Sequence, residues 1–311
     1  MRLDNMCRIR LLILLILIVF VSGCMQKADP DSLGMAVEFN DHAACAYVAE
    51  EMGWYEEEGI NLTAYESYAT GMQLTSAIAR GDIRIAYICL APAILAYSSG
   101  VPVTIVAGTH KHGYGLVAGS EITDISQLSG VTVGCPREGS MVDILLKCLI
   151  RQYDLKDVRI KRMEPLKQVI ALETGSIDAA FLPEHHATAA ESKGFQMLII
   201  SQELWPELQG SVLVVKNDLI ENNPDTVRKL VRVTQNATIW INDNPDDAAG
   251  ILAKELDTDP AIIRRSMSRL NYTTTIDEES VQDMIDHMVE FGLIEEGIRA
   301  EDILDTEFLL N

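Results

Sequence analysis

The segment Gly71-Met72-Gln73-Leu74-Thr75-Ser76-Ala77-Ile78-Ala79-Arg80-Gly81-Asp82-Ile83-Arg84-Ile85-Ala86-Tyr87-Ile88-Cys89 reads as a helix, a stop and a buried strand. Leu74, Ala77 and Ile78 recur at helical spacing, Gly81 suits a left-handed C-cap, and Ile83 to Cys89 is a nearly continuous apolar run. The pattern returns downstream. Ala77-Ile78, Gly81, Ile83, Ala86, Tyr87 and Ile88 align with Ala171-Leu172, Gly175, Ile177, Ala180, Phe181 and Leu182, every pair 94 residues apart. One helix–turn–strand unit used twice predicts two lobes with similar wiring.

The flanking segments extend the alternation. Gly34–Phe39 reads as a strand, Ala43–Tyr55 as one amphipathic helix, Ile60–Tyr65 as a strand, Pro92–Ser99 as a helix and Val101–Ala107 as an apolar strand of the buried, parallel kind. The second half repeats the order: strand Val131–Gly134, helix Ser140–Tyr153, strand Val158–Met163, helix Leu166–Thr174, strand Ile177–Leu182, helix Glu184–Lys193 and strand Phe195–Ile200. This spacing predicts an α/β fold of doubly wound parallel sheets covered by helices. Asn223-Pro224-Asp225, Asn244-Pro245-Asp246 and Asp259-Pro260 each open a helix with a capping side chain and a proline in the first turn. With Glu278–Phe291 they predict an all-helical C-terminal region.

Composition narrows the partners. The chain has 311 residues, 25 Lys+Arg against 46 Asp+Glu and a formal charge of −21. A basic stripe is absent, so counterion release from nucleic acid is not on offer. The run Leu11–Val21 is wholly apolar and follows Arg2, Arg8 and Arg10. As a helix it would reach only about 16 Å, short of a hydrocarbon core of about 30 Å. It reads as a signal-peptide core, and Val21-Ser22-Gly23-Cys24 as a lipobox whose Cys24 becomes the lipid-anchored first residue. Residues 1–23 are thus assigned as a lipoprotein signal, 24–33 as a tether and the protein as exported and anchored to the outer face of the cytoplasmic membrane. Of the other cysteines, Cys45, Cys89, Cys135 and Cys148 form no CxxC or zinc pattern. A Cys135–Cys148 disulfide is one option and two buried thiols the other.

In α/β sheets ligands bind beyond the carboxyl ends of strands, where helix N-termini present free N–H groups. Five loops qualify: Asn40-Asp41-His42, Ser67-Tyr68-Ala69-Thr70-Gly71, Cys89-Leu90-Ala91, Arg137-Glu138-Gly139-Ser140 and Pro183-Glu184-His185-His186. Thr70 and Ser140 can donate hydroxyl hydrogen bonds, while Gly71 and Gly139 let backbone amides approach. His42, His110, His112, His185 and His186 all fall in these loops or at the crossings between lobes. Adjacent helical residues point about 100° apart, so Glu184, His185 and His186 cannot converge on one metal ion. The carboxylates Asp41, Glu138 and Glu184 argue against a free sulfonate or nitrate and for a heteroaromatic or zwitterionic solute, with Tyr68, Tyr114 and Trp205 available for stacking.

The stretch Val48-Ala49-Glu50-Glu51-Met52-Gly53-Trp54-Tyr55-Glu56-Glu57-Glu58-Gly59-Ile60, the turns at Gly81-Asp82 and Gly175-Ser176, Ile125–Val133, Glu138-Gly139-Ser140 and Trp240–Ala249 follow one order. Together they resemble the extracytoplasmic solute-binding proteins for nitrate, sulfonate, taurine and thiamine-pyrimidine precursors; Arg84 departs, since the family usually has Asp there. The resemblance implies a two-lobed type II periplasmic-binding fold: residues 34–109 plus 211–311 as lobe I, 110–210 as lobe II, and two crossover strands between them. It implies a monomer without cofactor that closes on a small solute and delivers it to an ABC permease and its ATPase. Rival readings are a membrane-tethered sensing module of the same fold and an enzyme of the pyrimidine-synthase kind. The enzyme would need a cysteine-rich motif, whereas Cys89 stands alone. Ligand contacts are assigned to Asn40, Asp41, His42, Ser67, Tyr68, Thr70, Gly71, Cys89, Ala91, Gly139, Ser140, Glu184 and His185.

Overall fold

The helix predicted from the opening segment forms at Gly71–Arg80, and Gly81, at φ 90°, closes it by donating its N–H to the Ile78 carbonyl at 3.0 Å. Gly175, at φ 65°, does the same to Leu172 at 3.0 Å. A Cβ is strained in that left-handed region, which is why both stops are glycine. A computed structural model describes residues 33–309; the signal, tether and Cys24 assignments lie outside the described residues.

The strands in chain order are β1 (Gly34–Glu38), β2 (Ala64–Tyr68), β3 (Ile85–Cys89), β4 (Val103–His112), β5 (Tyr114–Ala118), β6 (Thr132–Cys135), β7 (Arg159–Arg162), β8 (Ala179–Pro183), β9 (Gln196–Ile200), β10 (Gln209–Lys216) and β11 (Leu270–Tyr272). They build two sheets, in the orders β11-β4-β10-β3-β1-β2 and β7-β6-β8-β5-β9. β3 pairs parallel with β1 and antiparallel with β10. β8 likewise pairs parallel with β6 and antiparallel with β5. The repeat read from sequence therefore marks equivalent strands of two similar sheets.

Both sheets are mixed, not parallel throughout. Val103–Ala107 runs antiparallel to β10 although its residues are apolar and mostly buried. Such a run reports burial on two faces, not strand direction. Along β1, Met35 and Val37 pack with the helices Ala44–Glu51 and Pro224–Asp243, while Ala36 joins the core beneath Gly71–Arg80 and Leu90–Ser98. The period-two alternation of strand side chains sends these neighbours to opposite layers.

Other boundaries also differ from expectation. Gly53, at φ 73°, splits the predicted Ala43–Tyr55 helix into Ala44–Glu51 and Trp54–Glu57. The second strand starts at Ala64 rather than Ile60, whose buried side chain and N–H, bonded to the Tyr55 carbonyl at 2.8 Å, finish the preceding helix. The C-terminal region is not all helix: β11 pairs with Lys111 and His112 on the edge of β4. Arg84 is buried and pairs with Asp218 at 3.1 Å. Cys45, Cys89, Cys135 and Cys148 are free, buried thiols, so the disulfide option is not realised. Burial pushes the Cys148 thiol up to about 11 and that of Cys45 up to about 12.

The chain passes from the first sheet to the second through Gly113, between β4 and β5, and returns between β9 and β10. No helix among the described residues is long and apolar enough to cross a membrane.

Candidate functional site

The carboxyl ends of β1, β3, β6 and β8 meet in one cleft. Cys89 and Pro183, equivalent in the repeat, both line its floor, as do Glu38 and Pro136 at the ends of β1 and β6. The floor is a cavity of about 30 Å³, room for a water or two and no organic solute. It continues through Thr70 and Pro136 into an open mouth of about 520 Å³ flanked by Arg137, Glu138, Arg162 and Glu164.

Three helices aim their N-termini at this cleft, two of them capped by a hydroxyl and the third not. Thr70 caps Gly71–Arg80 by accepting the Gln73 N–H at 3.3 Å, and Ser140 caps Met141–Gln152 by accepting that of Asp143 at 3.3 Å. Capping uses a hydroxyl lone pair, so each O–H is left to donate. The helix Leu90–Ser98 has no side-chain cap of its own. Its first amide donor is taken by Glu38, whose Oε1 accepts the Cys89 N–H at 2.7 Å.

Glu38 is the residue that sequence reasoning missed. It is buried, and its Oε2 accepts from Asn40 Nδ2 at 3.2 Å and from Cys89 Sγ at 3.3 Å. A Cβ on Gly71 would lie 2.4 Å from Glu38 Oε1, so glycine is required there for the helix to close onto the carboxylate. Burial raises the Glu38 carboxyl, and the hydrogen bonds from Cys89, Asn40 and Gly71 work against that rise. Burial and the neighbouring Glu38 push the Cys89 thiol well up, so this cysteine is no thiolate nucleophile. A usable signal was present in the sequence: one carboxylate ending the otherwise apolar strand Gly34–Phe39.

The structure divides the predicted residues. Asn40, Thr70, Gly71, Cys89 and Ser140 line the floor, joined by Tyr114 and His186. Ala91 and Gly139 do not line it; the Gly139 N–H is already held by Asp143 at 3.1 Å. Ser67 and Tyr68 face away, toward Tyr47 and Glu66. Trp205 packs edge-on against His287, 4.9 Å between ring centroids, and is absent from the cleft lining.

Asp41, His42, Glu184 and His185 form a separate buried cluster behind the floor. Asp41 accepts from Ser266 and lies 3.4 Å from His185 Nδ1. Burial acts to raise its carboxyl, but His185, His42 and Ser266 outweigh that and hold it well below the usual range. His42 Nε2 donates to the Gly113 carbonyl at 2.7 Å, on the crossing itself. Glu184 bonds Arg269 at 2.9 Å and Thr188 at 3.0 Å, and Arg269 also reaches Glu191 at 2.9 Å. Glu184, His185 and His186 thus face Arg269, Asp41 and the cleft respectively. Through these contacts the helix Glu184–Ser192 of the second sheet is fastened to the helix Pro260–Met267 packed on the first.

Residues 26–255 match the NMT1-like family along its sequence profile. The chain belongs to the NMT1-like family. This NMT1-like chain is 24% identical over 221 residues to the taurine-binding periplasmic protein of Escherichia coli (strain K12), covering 69% of this chain and 68% of that one. Among solved structures it is similar to the alkanesulfonate-binding protein SsuA of Xanthomonas axonopodis pv. citri bound to MOPS: TM-score 0.80, 15% identity, 90% of this chain and 99% of the other. It is also similar to the nitrate-binding protein NrtA of Synechocystis PCC 6803, with TM-score 0.80, 14% identity, and 89% and 86% of the two chains. The NMT1-like chain shares the periplasmic-binding fold of both structures, as its sequence resemblance implies.

Proposed function

We propose that this chain is the extracytoplasmic solute-binding component of an ABC importer, and not an enzyme. Its two sheets act as lobes, residues 34–109 plus 211–311 and residues 110–210, that part to admit a small polar solute and close on it. The observation that carries this reading is the convergence of equivalent strand ends, Cys89 and Pro183, on one cleft with helix N-termini aimed into it. The floor, too small for a solute as it stands, fits a site that must open to load. The solute is held by Asn40, Thr70, Cys89 and Ser140; Asp41, His42, Glu184 and His185 set the lobe closure. The closed pair of lobes then docks on a permease whose ATPase drives import, and the binding protein works as a monomer without cofactor.

A thermal-shift panel of sulfonates, taurine, nitrate, pyrimidines, amines and amino acids tests the reading. At least one compound should raise the melting temperature, and Ser140→Ala should weaken that hit by about 1 kcal/mol through loss of one hydrogen bond. A panel without a single hit would remove the proposal.

Export and anchoring rest on Leu11–Val21 and the lipobox ending at Cys24. Cys24→Ala is expected to move the protein from the membrane fraction to the soluble one. Unchanged fractionation would sink the anchor.

A further inference from the structure

The floor of the cleft has its own carboxyl group, Glu38. Among the residues lining it, Glu38 is the one carboxylate, and no Lys or Arg accompanies it. Its hydrogen-bond partners, the Cys89 amide, the Cys89 thiol, the Asn40 side-chain amide and the Gly71 amide, are all neutral. No ion pair reaches Glu38 among the described residues. Buried charges are ordinarily paired, so a buried carboxyl served only by neutral groups is held back from ionising until a cation meets it. Glu38 also sits where an anionic ligand would, since it occupies the amide that begins the helix Leu90–Ser98 and lies against Gly71 at the start of the next. The mouth does not reverse this balance: its two arginines, Arg137 and Arg162, are matched by Glu138 and Glu164, and Arg162 is paired with buried Asp143 at 2.6 Å.

We infer that the solute carries a cationic nitrogen group, such as an ammonium, amidinium or protonated nitrogen heterocycle, that seats against Glu38, and that free sulfonate and nitrate are rejected from this floor. The inference rests on the solute-binding reading above and narrows it away from the anions named for the similar proteins. Apolar walls from Phe39, Pro92, Tyr114 and Met141 suit the carbon skeleton of such a group. A bound cation would stabilise the ionised form of Glu38, whose carboxyl burial now raises.

The full chain is screened by thermal shift and calorimetry at pH 7.5 against benzamidinium, choline, 4-aminopyridinium, methanesulfonate, nitrate and uncharged pyrimidines. The wild-type protein should bind a cation of the set at least tenfold more tightly than either anion, and Glu38→Gln should weaken that cation at least tenfold. Glu38→Ala, which frees the Cys89 amide, should gain affinity for methanesulfonate. Wild-type binding of methanesulfonate or nitrate as tight as any cation overturns the inference while leaving the solute-binding reading in place. Cation affinity unchanged in Glu38→Gln, in protein whose melting curve shows it folded, overturns it as well. Should no compound of any charge bind, the solute-binding reading falls and the inference with it.

Discussion

Arg269→Ala is expected to lower the unfolding free energy by about 3 kcal/mol at pH 8, the usual scale for stripping one partner from a buried ion pair. Glu184 is fully buried and Arg269 is only 22% exposed, so solvent cannot replace the guanidinium. One carboxylate oxygen keeps Thr188, but Oε2 has no partner at all. Burial, with Asp41 adding repulsion and Arg269 opposing both, pushes the Glu184 carboxyl up to about 7. The variant's loss should therefore shrink at pH 6, where Glu184 takes up a proton instead of standing as a bare charge. Adding Glu184→Gln should restore much of the stability, because the orphaned charge is gone. Urea unfolding at both pH values checks this, and equal losses at pH 6 and pH 8 would refute it.

The same substitution carries a functional consequence. Arg269 and Arg265 hold the helix Glu184–Ser192 through Glu184, Glu191 and the Thr188 carbonyl, the last at 2.9 Å. Without Arg269 the lobes should part more readily, visible as a larger radius of gyration in solution scattering of the unliganded protein. A closed form that is less populated binds its solute with an apparent affinity reduced by that fraction. In the proposed closure the latch lies outside the cleft yet sets the affinity.

Much of this architecture was legible in the sequence, for stated physical reasons. Gly81 and Gly175 announced two helix stops because a left-handed cap admits few other residues, and their shared spacing located equivalent strands. Strand direction was not legible in Val103–Ala107, since burial on both faces yields the same apolar run in either sense. Ile60 misled for a related reason: its apolar side chain closes a helix end rather than opening a strand. In the site, loops that begin helices were identifiable from Thr70, Gly71 and Ser140. Their side chains' directions were not, because one residue along a helix start turns the side chain by about 100°. Asp41, Glu184 and His185 accordingly point to a contact between helices while their neighbours Asn40, Pro183 and His186 line the cleft. Glu38 lies within the predicted strand Gly34–Phe39, and only the fold shows that it reaches the amide that begins a neighbouring helix.

Acidification from pH 7.5 to pH 4.5 is expected to cost the fold about 2 to 3 kcal/mol, through histidines held neutral in its interior. Burial, partly opposed by Asp41 and the Gly113 carbonyl, pushes His42 down to about 4 from an ordinary value near 6.5. Burial depresses His110 and His186 well below that ordinary value too. Across His42's window, from about 6.5 down to about 4, the unfolded chain binds more protons than the folded one. Stability present above 6.5 is then lost as the pH falls, and for His42 alone the full loss is about 3 kcal/mol. Carboxyls raised by burial, Glu184 and Glu38 foremost and Glu50 with them, act in the opposite sense. Glu184 is raised from 4.5 to about 7 and Glu38 is raised as well, so each binds its proton earlier in the folded state and adds stability as the pH falls. Their contribution is complete near pH 4.5, whereas the histidine loss continues below it, and His112, likewise depressed by burial, adds to that loss. The depressed Asp41 adds a further loss at lower pH still. Urea midpoints measured from pH 8 to pH 4 should fall steadily below pH 6.5, and His42→Gln should flatten the curve. A midpoint that holds or rises on acidification would mean either that the carboxyls outweigh these rings or that the rings are protonated in the folded protein, and a His42→Gln curve as steep as wild type would identify the second. His42 and His110 touch at 4.4 Å between ring centroids, beside Gly113. A charge on either buried ring would therefore face the other ring beside the crossing.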